Sequence, residues 1–556
     1  MRARVVSVLL LGFALMAGGG ERFRARADEN KAKNNKPDGM EKKLRAKFTV
    51  GKETTYITGP YDEDGYIDYA TGLNERMRKG VTPDTNANVL IWKAVGPRPE
   101  GRAMSAEYYK WLGIDPLPEK GTYFISQNRF TKEHLKLEAG SGSGPPGSGP
   151  SPLEAFWTEI QEASQRPWTA KEHPRVAGWL KAYEKPLALL REATKRPRYF
   201  SPLVPIRSKK GTSGLIGALL PAVQKCREVC QALNCRAMLA VAERRYDDAW
   251  QDLLACHRLG RLVAHGATLI ETLVGIAIDT IASSADVTLL ERAATDAKVD
   301  VKTIRGWLGD VRRLPPMPGM AEKINLGERF MGLDCFMLIA RGGWGSLESL
   351  AGGSAKSMNP LMQHALDGVN WDPALRLANR TYDGIVAALR VKDRAEREKQ
   401  LQRIDDDLRD QRKEAAKPEN VGKLVLALTV MPEKAGERIG IIAMSLLTPA
   451  VRKVQQARDR SEQIQRNLHV AFALACYRRE HGRYPDKLDT LTPGYLERVP
   501  QDIFSGAALT YRPSKKGYLL YSVGVNGLDD DGLTYSDDPS ADDLSVRVPL
   551  PKPRRK

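Results

Sequence analysis

The chain has 556 residues, 42% hydrophobic and 28% charged, with a formal net charge of +18. That composition is ordinary for globular protein and the length allows several domains, which excludes a wholly disordered or fibrous chain. Six cysteines in this length exclude a fold that depends on a disulfide framework.

Arg2 and Arg4 precede an apolar run over residues 5–17, followed by glycines and then Ala25-Arg26-Ala27. This order of charge, apolar stretch and small-residue cleavage box predicts a secretory signal peptide over residues 1–27. No later stretch approaches the roughly 20 apolar residues of a spanning helix, because residues 269–290 are interrupted by Glu271 and Asp279. The expectation is an extracytoplasmic protein (periplasmic, envelope-associated or secreted) with no spanning helix after signal cleavage. Residues 28–46 are charged and poor in aromatics, and are expected to be disordered.

Residues 47–138 read as a small α+β module, with a strand over 54–58, a helix over 69–78 and an apolar segment over 88–94. Its turn carries Asp62, Asp64, Gly65 and Asp68 in part of a calcium-loop pattern. Pro60 and Thr71 stand where that loop needs its first and last ligands, so an acidic turn leading into a helix N-terminus is expected instead. Residues 139–152 are a Gly/Ser/Pro linker. Its Gly142 to Gly147 glycine spacing has no strand before it and no helix opening from it, so it carries no nucleotide-binding meaning.

Residues 153–435 have helical periodicity and predict a helical-hairpin domain, clearest over 237–259. The roughly 34-residue period of a tetratricopeptide array is absent. Cys226, Cys230 and Cys235 share one helix and are expected to be buried thiols, since no facing pair completes a metal site. His257 and His265 straddle about two turns of the next helix. Residues 391–417 are highly charged, with Leu401, Ile404 and Leu408 as the apolar seam, and predict a projecting helix or short coiled-coil arm. Leu219-Leu-Pro221 and Leu446-Leu-Thr-Pro449 open two similar amphipathic helices in which proline occupies the first turn.

Residues 436–556 form a C-terminal module in which a long helix leads through Tyr477 and His481-Gly-Arg-Tyr-Pro485 to short strands. The stretch from Leu520 to Gly532 is dense in turn formers and oxygen ligands, the composition of a hard-cation loop or a tight polar turn. A basic tail, residues 552–556, closes the chain. Tyr477, Gly482, Arg483, Tyr484, Pro485, then Tyr521, Ser522, Gly524, Asn526 and Gly527, with Pro449 ahead of them, resemble the type II secretion major pseudopilin and its exported pilin-like relatives. The resemblance covers residues 439–531. It implies a long helix with a small antiparallel sheet, and Ca2+ in the closing loop. By position the implied ligands are the Leu520 carbonyl and Asn526, with acids from Asp529, Asp531, Asp537 and Asp538. The family's N-terminal leader with Gly-Phe-Thr-Leu-Ile-Glu is missing here. Gly266-Ala-Thr-Leu-Ile-Glu271 resembles it inside the helical domain, where it is expected to be coincidental on a buried helix, so filament assembly is not expected.

The sequence contains no G-x-S-x-G, H-E-x-x-H or Walker A pattern. Aromatic residues are not interleaved with basic ones as in an RNA-binding strand, so no specific nucleic acid is expected. The fold class expected is mainly α with α+β modules. The function expected is that of a non-enzymatic envelope or secretion-associated scaffold whose partners are envelope or secreted proteins and, given the basic excess, anionic surface polymers. The alternative is an extracytoplasmic hydrolase whose active site is assembled from distant residues.

Overall fold

The computed structural model describes residues 48–99, 103–125, 127–135, 151–208, 211–218, 220–342, 368–415, 417, 432–448 and 451–551. The expected signal peptide, the charged segment after it, nearly all of the linker and the basic tail lie outside the described residues.

Ahead of the linker stand α1 (Tyr69–Arg78), α2 (Ala87–Val95), α3 (Ala106–Leu112) and α4 (Gln127–Glu133). After it come α5 (Pro152–Ala163), α6 (Pro174–Ala182), α7 (Glu184–Ala193) and a two-residue ladder of β1 (Arg207–Ser208) with β2 (Gly211–Thr212). The centre is built from α8 (Pro221–Ala242), α9 (Tyr246–Ala264), α10 (Leu269–Thr295) and α11 (Val301–Arg312). A short α12 (Met320–Lys323) passes through one π-helical turn, Ile324–Glu328, into α13 (Arg329–Gly342). Then follow α14 (Asp372–Leu389), α15 (Arg394–Ala415), α16 (Pro432–Leu447) and the longest helix, α17 (Val451–His481). A small antiparallel sheet ends the described chain, with β4 (Tyr518–Ser522) between β3 (Thr510–Pro513) and β5 (Leu544–Val548). The expected mainly helical class with a C-terminal sheet is therefore what the chain adopts.

Local chemistry explains where several elements start and stop. The Asp68 side chain accepts from the Thr71 N–H at 2.9 Å and opens α1 at the expected residue. Pro221 begins α8, where its missing N–H costs nothing. Gly482, at φ +72°, closes α17 with its N–H on the Arg478 carbonyl.

The strand expected over 54–58 is a turn. Tyr56 N–H donates to the Gly51 carbonyl at 2.9 Å, and the Thr55 hydroxyl donates to the Ile57 carbonyl at 2.7 Å. The threonines that raise strand propensity spend their hydroxyls on local backbone instead. The apolar segment over 88–94 lies in α2, so β pairing among the described residues of the N-terminal module is limited to the isolated bridges Tyr61–Ile67 and, across the linker, Asn86–Arg198. The acidic turn is structural: Asp62 accepts from the N–H groups of Asp64 and Tyr66, and its other oxygen pairs with Arg341 of α13.

One hydrophobic core crosses the boundaries expected at the linker and near residue 436. It joins Trp92 and Tyr108 to Trp179, Trp250, Trp307 and Phe472. Trp250 stacks on Trp307 and meets Phe472 edge-on, both at 5.7 Å between centroids. Full burial of a side chain the size of Phe472 contributes on the order of 2 kcal/mol. A second core gathers Tyr69, Phe330, Trp371 and Met444.

The charged segment expected to project is held over its first half. In α15, Leu401 is buried, Arg397 pairs with Asp459 of α17, and Glu398 pairs with Arg452. The charges of that half find complements on α17, while Asp406, Arg409, Asp410 and Lys413 pair within the helix and stay exposed. Cys226, Cys230 and Cys235 are free and buried, as expected, and so are Cys256, Cys335 and Cys476. The helix α10 is long and apolar enough to cross a membrane, but most of it is enclosed by protein.

Candidate functional site

The acidic loop between β4 and β5 is the site expected from the sequence, and it folds around its own hydrogen bonds. Asp529 accepts from the Tyr521 hydroxyl at 3.0 Å and from the Asp531 N–H. Asp531, at φ +56°, pairs with Arg512 of β3 at 2.9 Å. Asp537 is paired with Arg547 of β5 at 2.7 Å, which holds its carboxyl well below the usual carboxylate range. Asp538 accepts from the N–H and hydroxyl of Ser540. Asn526 turns its carbonyl onto the Leu528 N–H at 2.7 Å. Leu520 sits in the middle of the central strand, paired with Tyr511 on one side and Val546 on the other, where its carbonyl belongs to a ladder.

The ligand set Leu520, Asn526, Asp529, Asp531, Asp537 and Asp538 is thus not gathered around one point. Among the described residues no three His, Cys, Asp or Glu side chains converge as a metal-binding group. Three acids that sequence reasoning passed over organise the loop instead. Asp543 accepts from the N–H groups of Asp530 and Gly532, Asp530 accepts from the Asp542 N–H, and Asp502 takes the Ser522 hydroxyl and the Val523 N–H. Burial pushes the Asp543 carboxyl up, against those two N–H groups. The Oδ1 atoms of Asp542 and Asp543 are buried and have no partner.

The densest charged constellation lies elsewhere, where α9, α10 and α17 meet. His257 of α9 places Nδ1 2.8 Å from Asp279 and Nε2 2.7 Å from Asp286, both on α10. All three side chains are enclosed, at 0%, 1% and 0% exposure. Burial alone drives a proton off the imidazole; the carboxylates of Asp286 and Asp279 reverse this and raise His257 to about 10. Both ring nitrogens then act as donors in an imidazolium. Asp279 also takes the Gln465 amide of α17 at 2.9 Å and lies 3.4 Å from Arg261. Gln465 reaches Ser283 as well, and Ser283 donates back to the Asp279 carbonyl. The imidazolium and Arg261 thus face two enclosed carboxyl groups, of which burial pushes Asp286 up against the lowering effect of His257, and Asp286 Oδ1 is left unpaired. Close by on α17, burial pushes His469 down to about 4, with Arg312, Arg261 and His257 adding to the effect.

A second buried group closes the start of α10. Thr268 and Glu271 form a capping box, and Glu328 of the π-helical turn accepts from the Leu269 N–H at 3.1 Å. Lys323 donates to the Gly266 carbonyl. Burial lifts Glu328 to about 7 and lowers Lys323 to about 8. These carboxylates and this ammonium satisfy backbone groups at a helix end. The stretch Gly266–Glu271 that resembles a processing site is therefore a helix start that is enclosed except at Ile270.

No family model, curated protein or solved structure matches this chain. Its function has to be argued from its own geometry.

Proposed function

We propose that the chain is an exported bacterial protein that works by binding: an envelope or secretion-associated scaffold with a pilin-like C-terminal module fixed onto its own helical domain. The observation that carries this is the packing of α17. Its inner face, including Leu468, Ala471, Phe472 and Ala475, lies in the same core as α8, α9, α10 and α11, and Gln465 is bonded to Asp279 and Ser283. The apolar half-helix of the resemblance, α16, is likewise occupied within the chain, with Ile439, Ala443 and Met444 in the second core. What remains outward is the acidic loop, with seven aspartates between β4 and β5 and with Leu528, Leu533 and Tyr535 exposed. An exposed aromatic and two leucines rimmed by carboxylates suit a protein partner with a basic face.

Affinity capture from the native bacterial envelope with the full chain tests this. The wild type should recover a defined partner that the double variant Leu528→Ser, Tyr535→Ala loses. Recovery unchanged by that variant, or a chain that stays in the cytosolic fraction, defeats the proposal.

For the calcium that the resemblance implies, the acceptors left unmet in this loop are the buried Oδ1 atoms of Asp542 and Asp543. At about 10 mM calcium, well above the 0.1–1 mM dissociation constants of extracellular modules, the full chain should gain thermal stability. Asp543→Asn should abolish the gain. A wild-type melting temperature that calcium leaves unchanged removes the ion from the proposal.

A further inference from the structure

A cleft of about 370 Å3 lies between α10, α17, the turn over 534–536 and the chain entering β5. Its size is that of a small-molecule site. Asp543 forms part of its wall, at 1% exposure and with Oδ1 unpartnered.

The walls are set before any ligand arrives. Asn467 of α17 accepts from the Gln463 amide at 2.7 Å and donates to the Leu544 carbonyl at 2.8 Å, which ties the helix to β5. Across the cleft, Asp537 accepts from the Thr534 N–H and hydroxyl and pairs with Arg547, and the Asp543 N–H donates to the Leu533 carbonyl at 3.1 Å. The turn that carries Tyr535 is thereby pinned to the strand, so binding need not order it.

The charged lining cancels. Arg460 and Asp542 pair at 3.1 Å, and Asp543 is held by the Asp530 and Gly532 N–H groups at 3.1 and 2.8 Å while burial pushes its carboxyl up. The lining therefore offers no unmatched cation to an anion and no open carboxylate to an ammonium. Hydrogen-bond capacity is what remains. Thr280 and Ser284 donate their hydroxyl protons to the Ile276 and Thr280 carbonyls, at 2.9 and 3.2 Å, so they can only accept from a ligand. Asp543 Oδ1 lacks a donor, and Ser536 and Ser545 add hydroxyls that rotate to suit. Val287, Ile464 and Leu468 give apolar surface between these groups, and Tyr535, 73% exposed, supplies an uncovered ring. Acceptors without a counter-charge, beside apolar surface and an open aromatic ring, suit a ligand that is uncharged, rich in O–H donors and apolar on its faces.

We infer that this cleft binds a neutral pyranose, a sugar residue whose hydroxyls donate to Asp543, Thr280 and Ser284 and whose C–H face lies on Tyr535. This goes beyond the scaffold proposal and does not depend on it.

Saturation-transfer NMR on the full chain tests this, with a chelator present so that calcium plays no part. The probes are the neutral sugars glucose, galactose, mannose and N-acetylglucosamine, beside glucosamine and glucuronate, which put a cation or an anion on the same ring. At least one neutral sugar should bind with a dissociation constant in the millimolar range or tighter, and more tightly than both charged rings. Added salt should leave that affinity unchanged, since no ion pair forms. Ser284→Trp, an exposed change on α10 that fills the cleft, should cost about tenfold, and Tyr535→Ala should weaken binding as well. No transfer to any neutral sugar at about 10 mM, a charged ring that binds as tightly as the best neutral one, or an affinity that Ser284→Trp leaves unchanged each overturns the inference.

Discussion

Replacing His257 with leucine is expected to cost about 3–5 kcal/mol, because it leaves the Asp279 and Asp286 carboxylates enclosed without their shared cation. Leucine fills much of the imidazole volume, so the loss is electrostatic rather than a cavity. Arg261 and Gln465 still reach Asp279, whereas Asp286 keeps nothing, since its Oδ1 is unpartnered already. A triple variant, His257→Leu with Asp279→Leu and Asp286→Leu, should recover most of the loss, as apolar replacements of buried ion clusters do. The pH dependence gives a second readout. His257 is raised to about 10 in the folded chain against about 6.5 when unfolded, so the folded state binds more protons between those values. The contribution is fully present below pH 6.5 and is lost as the pH climbs through 10. The denaturation midpoint of wild type should therefore fall between pH 7 and 9 more steeply than that of His257→Leu. Equal slopes, or a single variant as stable as the wild type, would show that the imidazole is neutral or that the pocket admits water.

This network also shows where sequence reasoning stops. Local signals were legible: Asp68 opening a helix, Pro221 starting another, Gly482 ending α17, and helical periodicity through the centre. Each depends on chemistry within a few residues. The threonines over 54–58 pointed to a strand because strand propensity describes a side chain on a pleated surface, and no partner strand lies there. The acidic loop was visible as composition, but the loyalties of its carboxylates were not, since Arg512 and Arg547 arrive from strands on either side of β4. Asp279 and Asp286 stand seven residues apart on an otherwise apolar helix, and that spacing puts them on one face. Asp279 served only to argue against a membrane span and Asp286 was passed over; their spacing was a pointer to a buried cation. The histidine that supplies it lies on a different helix, and pairwise burial across helices has no signature in a single sequence. The cleft between α10, α17 and β5 was illegible for the same reason: its lining residues come from four separate segments.

Gly275→Ala is the second substitution expected to be severe, although it adds one methyl group. A Cβ at Gly275 would stand 2.4 Å from the Gly260 carbonyl oxygen and 2.8 Å from the Ala264 backbone nitrogen and Cβ. Two of those three atoms are backbone, so no rotamer relieves the clash and α9 must move away from α10. The reciprocal contact is as tight, with a Cβ at Gly260 meeting the Gly275 carbonyl at 2.7 Å. The displacement would fall on the helix pair that carries His257 and its two aspartates, whose hydrogen bonds of 2.7 and 2.8 Å leave no slack. A loss of about 3 kcal/mol or more is expected, at the upper end of overpacking effects, and soluble yield should drop with it. Gly306→Ala in α11 is the matched control, because nothing lies within 4 Å of its added methyl group. There the same change should stabilise by about 0.5–1 kcal/mol through helix propensity and a less flexible unfolded chain. If denaturation midpoints show the two alanines to be alike, the close crossing of α9 and α10 is not what holds the buried charges in register.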